Sequence, residues 1–159
     1  MGADWIKENN MTFTRGQLSE VQAGLRPAAA FKTVTFSDSA NAGALNSTIP
    51  LFTVTGSIIC SLRGYVATSL TGATATLVHG ATGTTNMLIP ILTATTLTVG
   101  KGIDKTATVV ARGTALDKVP LWAVQDETIF ATDATAAITA GKINYVLDYI
   151  CLTEGATVS

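Results

Sequence analysis

From Phe31 onward, apolar residues recur in short runs separated by glycines and other turn-forming residues. That rhythm predicts strands. The runs are Lys32–Phe36, Ile49–Thr55, Ser57–Ser69, Ala73–His79, Asn86–Thr93, Thr95–Val99, Thr106–Val110, Leu121–Val124, Thr128–Ala131 and Lys142–Leu152. Gly56, Gly72, Gly80, Gly83, Gly100, Gly102, Gly113 and Gly141 punctuate them. Many short strands in close succession predict an all-β fold, a single β-sandwich over residues 31–159 that is jelly-roll-like or Ig-like. Two runs alternate clearly enough to assign faces. In the last, Ile143, Tyr145, Leu147, Tyr149 and Cys151 share the core face, opposite Asn144 and Asp148. In Ser57–Ser69, Ile58, Cys60, Leu62 and Val66 share a face. Ile59, Arg63 and Tyr65 form an amphipathic opposite face, as expected of a strand covered by a neighbouring subunit or by an N-terminal arm. Pro50, Pro90 and Pro120 cannot donate to a ladder, which places their runs at edges or bulges.

Residues 1–30 follow a different pattern and read as an N-terminal arm. Five charged side chains fall within the first twenty residues, and the spacing predicts a short helix over about 15–25. Thr14 and Gln17 fit a capping box, Leu18, Val21 and Leu25 fall on one helical face, and Gly24 and Pro27 end the segment. A helix this short is marginal alone, so its apolar face needs a surface to rest on. Trp5, Ile6, Met11 and Phe13 add apolar side chains just upstream. Together with Leu18, Val21 and Leu25 they are the candidate partner-binding residues.

Composition sharpens this picture. Charged residues make up 13 % of the 159-residue chain, against about 25 % in an ordinary soluble domain. Threonine, at 27 residues, supplies much of the polar surface, and its β-branched side chain favours the pleated surface of a sheet. A surface so poor in charge resists association weakly, which points to subunits that cover one another. The net charge of −1 provides no field to concentrate the chain on phosphate backbones or anionic lipid, so neither nucleic acid nor a membrane is an expected partner. No apolar run approaches the ~20 residues of a spanning helix. Asp4, Lys7, Glu8, Asn9 and Asn10 interrupt any apolar core of a signal peptide, so synthesis in the cytoplasm is expected. Cys60 and Cys151 lie in apolar runs and are expected to be buried reduced thiols, with a disulfide between neighbouring strands as the alternative.

Chemistry is sparse. His79, the sole histidine, has no nucleophile elbow beside it and is expected at the surface or an interface, at the strand–turn boundary before Gly80. Two distant cysteines and one histidine do not make a zinc site. Asp126, Glu127 and Asp133 lack the spacing of a calcium loop. Gly100-Lys101-Gly102 and Gly141-Lys142 lack the rest of a phosphate-binding motif. The expectation is therefore a protein without catalytic residues, cofactor or metal. Aromatic platforms for a carbohydrate-binding module would have to come from Trp122 and Tyr65.

The succession Lys32-Thr33-Val34-Thr35-Phe36, Ile49-Pro50-Leu51-Phe52-Thr53-Val54-Thr55-Gly56, a Thr/Gly/Ala-rich middle, and Asn144-Tyr145-Val146-Leu147-Asp148-Tyr149 resembles small virion proteins of tailed bacteriophages. That resemblance implies a β-sandwich subunit of the particle, a head decoration or cement protein, with no catalytic residues to carry over. It implies the major capsid protein or other virion subunits as partners, a homo-oligomer, and a virion location reached by assembly in the bacterial host cytoplasm. A lattice position suggests a trimer. A tail, collar or head-fibre position is the alternative within the same particle.

Overall fold

The computed structural model describes residues 27–105 and 122–159, the Asn86 side chain excepted. The predicted helix over 15–25 and the strand at Thr106–Val110 lie outside them. The described chain forms strands β1 (Ala28–Phe36), β2 (Thr48–Thr55), β3 (Ser57–Thr71), β4 (Thr76–Ala81), β5 (Thr84–Thr93), β6 (Gly102–Ile103), β7 (Trp122–Gln125), β8 (Thr128–Ala134), β9 (Ala140–Cys151) and β10 (Thr157–Val158). A 3-10 turn occupies Ala94–Thr96. β1 begins at Ala28, ahead of the boundary expected at Phe31. The strand expected at Thr95–Val99 is instead this turn and a loop: Leu97 is buried and donates its backbone N–H to Ala94, so tertiary packing overrides the β-propensity of the threonines.

Every strand pairing is antiparallel, and together they describe one long hairpin. β4 pairs β5 at its tip, β3 pairs β7 and β6, β2 pairs β8, and β1 pairs β9. The hairpin is then rolled so that β9 also lies beside β3 and β8 beside β4. Two five-stranded sheets result, β1-β9-β3 with β6 and β7 along the far side of β3, and β10-β2-β8-β4-β5. Consecutive strands β1 to β4 alternate between sheets, which is the jelly-roll winding. In the immunoglobulin order the first two strands share a sheet.

The alternation read from the sequence decides which side of each sheet is interior. Ile58, Cys60, Leu62 and Val66 of β3 and Ile143, Tyr145 and Leu147 of β9 are buried against Leu77, Ile129, Ala131, Ile49 and Leu51 of the opposite sheet. Each such aliphatic side chain contributes roughly 1.5–3 kcal/mol by leaving water. Pro50 and Pro90 sit where the missing N–H costs least. Pro50 lies at a register shift in β2, and Pro90 lies in the edge strand β5, also at a shift.

Both cysteines are free thiols. Burial pushes the Cys60 thiol up to about 12, so almost no thiolate forms near neutral pH. Cys151 is only partly buried. A thiol-alkylating reagent at pH 8 is expected to modify Cys151 first and Cys60 only under denaturing conditions; equal rates on the native protein, read by peptide mass spectrometry, would contradict this burial.

Candidate assembly surfaces

The strands of the β10-β2-β8-β4-β5 sheet contain two ionisable side chains, His79 and Asp133, and both are fully buried. Among the described residues, the strands of this sheet therefore present no ionisable side chain on their outward face. Strand register lays that face out in rows: Thr48 beside Thr132 beside Val78, then Pro50 beside Phe130 beside Gly80. Thr53 stands opposite Thr128, and Thr76 lies between Ala134 and Thr93. Among the described side chains, threonines, a proline and a phenylalanine make this face apolar in contact and polar through hydroxyls. At its margin on β5, Ile91 is 62 % exposed.

The outward face of the other sheet is different. Phe31, Val146 and Arg63 form one row across it, and Thr33, Asn144 and Tyr65 the next. Phe31 is 76 % and Tyr65 46 % exposed. The Thr33 hydroxyl donates to Asn144 Oδ1 at 2.9 Å. Arg63 pairs with Asp148 through a guanidinium–carboxylate contact, a part-exposed ion pair worth under about 1 kcal/mol. Lys142 lies on the same face of β9. This surface combines exposed aromatics with a few charges, the mixture found at protein interfaces.

Polar chemistry inside the fold joins its parts. His79 is not at the surface as expected. It lies within β4, fully buried, with Nε2 and the Tyr145 hydroxyl of the opposite sheet 2.9 Å apart. Burial lowers the imidazole to about 3 and raises the Tyr145 phenol, so both are neutral and one hydrogen bond bridges the two sheets. Gly80 is likewise no terminator. It continues β4 because Thr84 and Thr85 fold across its face too closely for any side chain. Asp133 accepts from the Ser47 hydroxyl at 2.7 Å, while its own N–H donates to the Ser47 carbonyl at 3.3 Å, anchoring the β1–β2 loop to β8.

Nothing matches. No family model, curated protein or solved structure matches this chain. Its reading therefore rests on its own residues.

The candidate partner-binding residues Trp5, Ile6, Met11, Phe13, Leu18, Val21 and Leu25 all lie outside the described residues. The aromatics considered for sugar stacking do not come together. Trp122 is partly buried against the core, opposite Cys60, whereas Tyr65 projects from the outer face of β3. Ser57, Ala123, Gln125, Glu127 and Leu152 line a shallow groove beside β7. Among the described residues no group of three His, Cys, Asp or Glu is placed to hold a metal, and no helix is long and apolar enough to cross a membrane. Sequence reasoning passed over the charge-free sheet face. The signal is present: β2, β4, β5 and β8 contain no lysine, arginine or glutamate.

Proposed function

We propose that this protein is a non-catalytic structural subunit of a tailed-bacteriophage virion, a cement protein that stabilises the head lattice. The observation that carries the reading is the weakly charged outer surface of the jelly roll. One sheet face is free of ions, and the other places Phe31 and Tyr65 in the open around the Arg63–Asp148 pair. Such a surface is stable when subunits cover it. Rolled double sheets of this kind also recur in viral particles, a fold-level analogy that supports the reading.

In this reading the N-terminal arm, residues 1–30, tethers the subunit. The exposed Phe31 of β1 stands on the outer β1-β9-β3 face, and this face is the lattice-facing surface in the proposal. The major capsid protein is the partner, and each ~1,000 Å² of well-packed contact across a subunit seam opposes opening of the lattice.

The test is to mix the purified protein with heads that lack it. The protein is expected to sediment with them, and Trp5→Ala combined with Phe13→Ala is expected to weaken binding at least about tenfold, as loss of aromatic anchors does. Failure of the wild-type chain to bind heads, with binding to tails or collars instead, would move it elsewhere on the particle. Binding to neither would overturn the proposal.

A further inference from the structure

We propose that the charge-free face of the β10-β2-β8-β4-β5 sheet is where a second copy of this chain docks, face to face. The inference rests on the structural-subunit reading and assigns that subunit its homotypic surface.

Desolvation argues for the occupant. Bringing two surfaces together strips water from every polar group on both, and an ion left without a counter-ion costs far more than a hydroxyl. A charged partner would bury its ions against a face that offers none in return. A second copy brings the same neutral threonine rows, so no ion is desolvated on either side. Threonine hydroxyls both donate and accept, and they can pair with identical hydroxyls in a twofold arrangement. The rest of the molecule separates the two roles. Arg63, Lys142 and Asp148 are on the opposite sheet face, where a partner of different sequence can complement them.

The dimensions set the strength. Strands β2, β8, β4 and β5 lie side by side at ~4.8 Å and rise ~3.3 Å per residue, giving a patch of roughly 400 Å² in plan. A standard interface takes about 800 Å² from each partner. The pair is therefore weak when free, of order micromolar or above, and is reinforced on a particle by simultaneous contacts. Contact of a face with itself is twofold and yields dimers, where lattice position alone suggested trimers.

Sedimentation equilibrium on the full chain tests this. The average mass is expected to rise with concentration from 16.4 kDa toward twice that value. Thr53→Lys and Ile91→Lys, at exposed outward positions on β2 and β5, should each raise the dissociation constant at least about tenfold, since each buries an unpaired ammonium. Thr33→Lys, exposed on the other sheet, should leave it unchanged. Circular dichroism on each variant confirms that the sandwich is intact. A wild-type mass that stays monomeric to about 1 mM, association that survives both Thr53→Lys and Ile91→Lys, or a Thr33→Lys variant equally impaired would overturn the assignment. Head binding by the wild-type chain is read separately, so loss of this assignment leaves the virion reading intact.

Discussion

At pH 4 the protein is expected to unfold at a much lower urea concentration than at pH 7, with a large share of the loss traced to His79. Its folded-state value of about 3 lies well below the ~6.5 of an exposed imidazole. As pH falls through 6.5 the unfolded chain takes up a proton that the folded chain refuses. The unfolded state then binds more protons, and stability falls with falling pH by up to about 1.4 kcal/mol per unit. The window runs from about pH 6.5 down to about pH 3, so the cost at pH 4 is roughly 3 kcal/mol, a large part of the 5–15 kcal/mol typical of a domain. His79→Gln keeps a polar group near Tyr145 but cannot titrate. It should start from lower stability and lose markedly less between pH 6.5 and pH 4. Parallel pH profiles for the variant and the wild type would place the acid sensitivity elsewhere.

Gly80→Ala is expected to destabilise the fold by about 3 kcal/mol or more. A Cβ there would lie 2.1 Å from the Thr84 carbonyl oxygen and 2.5 Å from the Thr85 carbonyl carbon. Both are backbone atoms, so the β4–β5 hairpin itself must shift. Overpacking that side chains can absorb costs 1–3 kcal/mol, and here no side chain can yield. Gly83 in the same hairpin is the control. Its φ of +85° favours glycine, yet nothing lies within 4 Å of an added Cβ, so Gly83→Ala should cost only about 1 kcal/mol of backbone strain. Urea denaturation of both variants gives the comparison; a Gly80→Ala cost no greater than that of Gly83→Ala would refute the close approach.

Residue alternation made the interior legible, and long-range pairing was hidden from it. In β9, the odd-numbered face from Ile143 to Leu147 is the core, as the spacing predicts, because period-two burial is a local property of a strand. Which strands become neighbours depends on how the long hairpin rolls. The sequence therefore leaves the jelly-roll and immunoglobulin orders open until β1 is seen beside β9. His79 shows the same limit. Its position before Gly80 suggests a turn, but Thr84 and Thr85 crossing Gly80 extend the strand and carry the imidazole inward to the Tyr145 hydroxyl, far away in sequence. The two-residue strands β6 and β10 are too short for any periodicity to announce them.

The candidate surface was legible in composition before it was legible in space. Low charge and abundant threonine point to a covered surface, but only the strand register gathers the neutral positions of β2, β8, β4 and β5 onto one face while leaving Arg63, Lys142 and Asp148 on the other.

The central claim is that this jelly roll is a building block of a virus particle. Quantitative mass spectrometry of purified particles, against an isotope-labelled standard of this chain, tests it most directly. The account predicts a copy number on the scale of the lattice subunit, constant from one preparation to the next. Absence of the chain from particles, with all of it recovered in the soluble fraction of the lysate, would contradict the account.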